Sequence, residues 1–249
     1  MELARRRFLA AAALAFAFSP RPGSARETAA VAHADTVVLS DGERRVSIRI
    51  SYPAALPGRA PLIVFSHGAN SDRELYDRLL DRWAAAGYVD ASPSPMEGRI
   101  DADRAVVAGQ SFGGMISLVL GGAPMAVDAA AKEPRSLADP RFKAAIVLNP
   151  PGPTPNVNAD SIGKLAVPTL GISGTKDVAL GDTQNGWEWR SAWFDSAPAG
   201  GGHVRIIVEG VDHYFGSGIC RPELPVPVDT LGLDVAVEAS LAFLDRHVK

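Results

Sequence analysis

The sequence predicts an α/β fold: one mostly parallel, twisted sheet with helices on both faces. Three observations carry this expectation. Apolar strand-like runs alternate with amphipathic helix-like runs from Thr36 to the C-terminus, the pattern of successive strand–helix–strand units. The run Pro61–Ser66, PLIVFS, is continuously apolar, as strands covered on both sides are. In DRAVVAGQSFGGMISLVLGG, residues 103–122, a short apolar strand passes into an apolar helix through a glycine-rich crease, a tight strand-to-helix turn.

The elements follow in order. Thr36–Leu39 and Arg45–Tyr52 flank the turn SDGE and read as an antiparallel hairpin. In the second strand Val46, Ile48 and Ile50 alternate with polar residues, so one face is buried. After Pro61–Ser66 a helix is expected. Ser71 and Glu74 have capping-box spacing, Leu75, Leu79 and Trp83 share one face, and Gly87 closes the end. Ala105–Ala108 is the strand before the crease and Met115–Leu120 the helix after it. Strands Phe142–Leu148, Thr169–Ser173 and Val204–Glu209 come next, with a helix over Trp187–Phe194 between the last two. A final helix covers Leu233–Val248, where Leu233, Val237, Leu241, Leu244 and Val248 fall on one face.

Length and composition bound the function. With 249 residues and one cysteine, Cys220, the chain has room for a sizeable core but no intrachain disulfide or cysteine metal cluster. A net charge of −3 without a basic stripe argues against a nucleic-acid partner. No cofactor or metal motif is present. The N-terminus is a separate segment: Arg5–Arg7, an apolar run from Phe8 to Phe18, then small residues and prolines. That is the order of an export signal, and Arg-Arg-Arg-Phe-Leu resembles the twin-arginine type. The run is too short to span a bilayer well. Residues 1–34 are therefore expected to be leader, cleaved after Ala17, Ala25 or Ala34, and 35–249 a single exported domain, periplasmic or secreted, with no stable membrane span.

In open parallel sheets chemistry gathers beyond the carboxyl ends of the strands. Those positions hold His67-Gly68-Ala69-Asn70, then Ser111, then Gly174-Thr175-Lys176-Asp177, then Gly210-Val211-Asp212-His213. Ser111 stands in Gly-Gln-Ser-Phe-Gly, where glycines at 109 and 113 relieve the crowding of a strained elbow. A serine hydroxyl needs a neighbouring base to become a nucleophile. Of the five histidines, His213 fits best: His33 precedes the expected fold, His203 opens a strand, His247 ends the last helix, and His67 shapes the loop it sits in. Asp177 is the preferred partner to fix the imidazole tautomer, with Asp182 and Asp212 as alternatives. Phe112 N–H and Ala69 N–H stand where donors to a tetrahedral oxyanion belong. The tryptophans at 187, 189 and 193 line an acyl pocket or are core. Cys220 is read as a small buried residue.

The blocks PLIVFSHGANSDRELYDRLLDRWAAAGYV, DADRAVVAGQSFGG, DPRFKAAIVLNPPGP, PTLGISGTKD and WEWRSAWFDSAPAGGGHVRIIVEGVDHYFG resemble, in content and order, α/β hydrolases of the dienelactone-hydrolase and platelet-activating-factor-acetylhydrolase-like serine esterase type. The resemblance implies the α/β-hydrolase fold and Ser111, Asp177 and His213 as a triad. It also implies Phe112 and Ala69 as oxyanion donors, no metal, and a small-molecule ester as substrate. Strict dienelactone hydrolases use a cysteine where this chain has Ser111. The chain departs from the pattern between Tyr88-Val89 and Ala105, where only DASPSPMEGRIDADR intervenes. That link is short for a parallel crossover, and Pro93, Pro95 and Gly98 oppose a helix in it. Tyr88–Ala91 is then a stub strand followed by a loop, or is lost. The alternatives to an esterase are a hydrolase-fold binding protein with misplaced catalytic groups and a hydrolase of the lactone or dienelactone type.

Overall fold

The computed structural model describes residues 29–40, 44–90, 98–127, 133–179 and 185–249. One eight-stranded sheet organises them, in the order β1-β2-β4-β3-β5-β6-β7-β8. Strands β1 (Val31–Ser40) and β2 (Arg44–Pro53) form the expected hairpin. β1 begins ahead of Thr36, and residues 31–34, which the sequence reading places in the leader, continue its ladder: His33 pairs with Ser51 and Ala34 with Ile50. β2 runs antiparallel to β4 (Val89–Asp90). From β4 onward, β3 (Ala60–Ser66), β5 (Ile100–Gln110), β6 (Phe142–Leu148), β7 (Thr169–Lys176) and β8 (Val204–Asp212) are all parallel. Of the segment expected over Tyr88–Ala91, Val89–Asp90 is a two-residue strand. Residues 91–97, with Pro93 and Pro95, lie outside the described residues.

Strand alternation divides the core between two faces. Val106 and Ala108 of β5, with Ile63, Ile146, Leu148 and Ile172, pack under α1 (Asp77–Ala85) and α6 (Thr230–Val248). Ala105 and Val107 face the other way, toward Phe142 and Ala145. On that side α2 (Phe112–Leu120) covers the sheet, and Met115, Leu118 and Val119 pack on Val147, Ile162, Leu165 and Trp193. The burial of Trp193 resolves one of the two sequence readings: that ring is core. Gly171 has no side chain because the Trp193 ring lies against it.

Three local readings are corrected. The turn before α1 is a short 3-10 helix, Arg73–Tyr76, capped by Asp72, whose carboxylate accepts from Arg73 N–H. Ser71 does not cap; its hydroxyl is 3.4 Å from the Cys220 carbonyl. The helix expected over Trp187–Phe194 is two short ones, α4 (Trp187–Ser191) and α5 (Trp193–Ser196), which meet at Ala192. Finally, α3 (Ala159–Ile162), one turn capped by Asn158, had no periodic signal at all. Gly87 ends α1 with φ +98°, the left-handed conformation expected of a helix-closing glycine. No described helix is long and apolar enough to cross a membrane.

Candidate active site

The elbow is built by close approach. Ser111 links β5 to α2 with φ 54° and ψ −118°, a region that costs a non-glycine residue about 1–3 kcal/mol and persists only when its surroundings enforce it. They do so from both sides. Ser111 N–H donates to Leu148 O at 2.8 Å, and its carbonyl accepts from Met115 N–H at 3.1 Å. A Cβ at Gly113 would lie 2.5 Å from the Ser66 carbonyl carbon and closer still to its oxygen, and one at Gly109 would strike the Gly113 carbonyl. The spacing Gly-x-Ser-x-Gly is therefore a packing requirement at this crossing. Phe112 opens α2, so its N–H lies in the first turn, where a helix leaves amides without internal acceptors.

Asp177 and His213 come from the loop after β7 and the end of β8, brought together because those strands are neighbours. His213 Nδ1 is 2.6 Å from Asp177 Oδ1, with Asp177 0 % and His213 2 % exposed. A carboxylate accepts, so Nδ1 carries the proton and Nε2 is left as the basic nitrogen. Of the alternative acids, Asp212 is committed elsewhere: its Oδ1 accepts from Tyr214 N–H at 2.9 Å and Gly216 N–H at 2.8 Å, fixing the turn that carries His213. Asp182 lies outside the described residues. The Tyr214 ring stands edge-on to the imidazole at 4.8 Å.

Three further side chains belong to this region and escaped the sequence reading. Arg190 of α4, 3 % exposed, places its Nε 3.4 Å from Asp177 Oδ1, a cation beside the buried carboxylate. Gln110, fully buried and immediately before Ser111, donates from Nε2 to the His213 carbonyl at 3.1 Å. This bond ties the elbow to the histidine loop. Tyr76 donates its hydroxyl to Gln110 Oε1 at 3.0 Å and accepts from Gly68 N–H at 2.8 Å. Burial, reinforced by Cys220 beside it, pushes the Tyr76 phenol far above its ordinary range, so it stays a neutral hydroxyl. Period-two alternation through Val106, Ala108 and Gln110 was the signal available for Gln110: a polar residue on the buried face of a core strand.

The remaining candidates take structural places. His67 is exposed, and its Nδ1 lies 2.8 Å from Gly68 O, a contact within the loop it shapes. Ala69 follows in that loop. His33 is paired in β1, facing Asp81 at 3.5 Å. His203 precedes β8, half-buried, and His247 packs on the Phe243 ring at 4.5 Å. Cys220 is buried behind Gly68. Asn149, after β6, is fully buried with φ 47°, and neither amide atom has a partner among the described residues. Among the described residues, His33, Asp77 and Asp81 could offer ligand atoms within 4.8 Å of one another to a metal, but Arg49 already neutralises Asp77 at 3.0 Å.

Known proteins place this architecture. No protein-family model matches the chain, and no curated protein matches its sequence. Solved structures do match. A protein of Klebsiella pneumoniae assigned as a dienelactone hydrolase superposes with a TM-score of 0.64 at 15 % identity, covering 88 % of this chain and 100 % of its own. An esterase of the fungus Rhizomucor miehei gives 0.64 at 14 %, covering 88 % and 84 %. A thermophilic esterase of Thermogutta terrifontis, solved with butyrate bound, gives 0.60 at 16 %, covering 89 % and 95 %. The chain has the α/β-hydrolase fold.

Proposed function

We propose that the protein is a serine hydrolase that cleaves carboxylic esters of small molecules. The observation that carries this reading is the buried 2.6 Å contact between Asp177 and His213, with the histidine loop bonded to the residue preceding Ser111. In the proposed reaction His213 Nε2 takes the Ser111 proton as Oγ bonds to the ester carbonyl carbon. The carbonyl oxygen becomes an oxyanion, held by the N–H groups of Phe112 and Ala69, each worth about 3 kcal/mol to the transition state. The tetrahedral intermediate collapses, the carbon–oxygen bond to the alcohol breaks, and the imidazolium returns its proton to the leaving alkoxide. Water, deprotonated by the same nitrogen, then attacks the acyl-serine carbonyl; the bond to Oγ breaks, the imidazolium returns the proton to Oγ, and the acid leaves with Ser111 and neutral His213 restored.

Asp177 stays ionised throughout and stabilises the imidazolium it orients. The Arg190 guanidinium lies beside that carboxylate, its Nε 3.4 Å from Asp177 Oδ1.

The test is hydrolysis of a short-chain p-nitrophenyl ester by purified protein, with and without Ser111→Ala, together with labelling by a fluorophosphonate. Turnover and labelling that both vanish in Ser111→Ala are expected. Folded wild-type protein that neither turns over nor labels would mean a ligand-binding relative of the fold.

The proposal includes export. Residues 1–28, which carry Arg5–Arg7 and the apolar run, lie outside the described residues, and the sequence alone supports a twin-arginine signal. Replacing Arg5 and Arg6 by lysine should leave the protein in the cytoplasm of a bacterial host; periplasmic protein unaffected by the change would refute it.

A further inference from the structure

We propose that Tyr76, Gln110 and His67 are positioning residues that clamp the oxyanion loop in register with the nucleophile elbow and the histidine loop. This rests on the reading of Ser111 as the nucleophile. The clamp is a chain of hydrogen bonds with one consistent set of proton positions. Gly68 N–H donates to the Tyr76 hydroxyl at 2.8 Å, so that oxygen must give its own proton to Gln110 Oε1, 3.0 Å away. With its oxygen engaged, Gln110 uses its amide nitrogen to reach the His213 carbonyl at 3.1 Å. Three loops from three different strands, after β3, β5 and β8, are thereby joined through two side chains. Both are wholly buried.

The other side of the same glycine is held as well. Gly68 O accepts from His67 Nδ1–H at 2.8 Å and from Ser71 N–H at 3.3 Å. That oxygen belongs to the peptide whose N–H is Ala69, and in a planar trans peptide the N–H and C=O point in opposite directions. Pinning the carbonyl toward His67 and Ser71 therefore aims the Ala69 N–H away from them. Gly68 is packed closely on that side, where a Cβ would meet Gln110 Oε1, Tyr76 Oη and Cys220 Sγ. Neither Tyr76, Gln110 nor His67 has to touch substrate in this arrangement. They set the direction of one amide relative to Ser111, and a preset donor is what stabilises an oxyanion without reorganisation.

The experiment compares an oxygen ester with the thionoester of the same short acyl group. A thiocarbonyl sulfur accepts hydrogen bonds poorly, so the oxo-to-thiono ratio of kcat/KM reads the oxyanion donors and cancels losses of folded protein. Tyr76→Phe and His67→Ala should each lower that ratio, by about 10-fold or more given what one such donor contributes, with the fall in kcat and little change in KM. Fluorophosphonate labelling should slow but still reach full stoichiometry. Ser240→Ala, which removes the buried partner of Trp83 Nε1 at 2.8 Å, should leave the ratio unchanged. His67 is exposed, so its variant decides the matter even where Tyr76→Phe does not fold. Ser111-dependent turnover with the wild-type ratio in His67→Ala overturns the clamp alone. Absence of Ser111-dependent turnover in the wild type overturns the esterase reading and the clamp with it.

Discussion

Gly113→Ala is the sharpest test of how the elbow is made. The added Cβ would stand 2.5 Å from the Ser66 carbonyl carbon, nearer to the Ser66 oxygen, and also close to the His67 carbonyl. Real Cβ atoms essentially never approach below 3.0 Å, and the obstructing atoms are backbone of β3, which cannot rotate aside. Separating β3 from the start of α2 therefore takes a shift of about an ångström, which displaces Ser111 relative to the loop that follows β3. Displacement on that scale costs roughly 100-fold in rate, and overpacking a tight core typically costs about 1–3 kcal/mol. The assay is ester turnover alongside chemical denaturation, with Gly58→Ala as control, since nothing lies within 4 Å of a Cβ there. The expected result is Gly58→Ala near wild type, with Gly113→Ala at least about 100-fold slower and unfolding at lower denaturant. Equal stability and activity in the two variants would refute the close-approach account of the motif.

Other outcomes follow from the same geometry. Asp177→Asn should slow turnover by about 10⁴-fold, because a carboxamide no longer fixes the His213 tautomer; it should also destabilise the fold, by leaving Arg190 without the carboxylate 3.4 Å away. A calorimetric melt and steady-state kinetics check both. Ser240→Ala should lower stability by about 1–2 kcal/mol through loss of its bond to Trp83, with catalytic constants unchanged. Burial holds the pKa values of His203 and His247 below the ordinary 6.5. The unfolded chain therefore binds protons first as pH falls, and the stability these neutral rings contribute, complete above pH 6.5, is lost on acidification below it. Denaturation midpoints should drop from pH 7.5 toward pH 5.5 (about one unit on either side of a normal histidine), and His203→Gln with His247→Gln should flatten that slope. A slope unchanged in the double variant would place the titration elsewhere.

The succession of strands along the chain, the elbow and the pairing of Asp177 with His213 were legible because each leaves a local trace. Continuous apolar runs mark strands covered on both faces, and glycines at 109 and 113 mark a crossing that admits no side chain. A carboxylate and an imidazole beyond the carboxyl ends of two late strands mark a shared rim. The start of β1 was not legible, since Val31–Asp35 gains its strand character from pairing with β2. Nor was the break at Ala192 within the tryptophan-rich helix, where burying Trp193 against Gly171 overrides local propensity.

By itself the sequence determined which chemical groups stand at the ends of which strands, because backbone periodicity and glycine placement are written locally. Only tertiary structure decided which side chains hold those groups in relation to one another. Tyr76 and Gln110 are 34 positions apart, Gln110 and His213 are 103 apart, and Asp177 and Arg190 sit on separate elements. A hydrogen bond between side chains on distant strands depends on sheet order and on which face each residue takes. Those are properties of the packed chain, and no spacing along it records them.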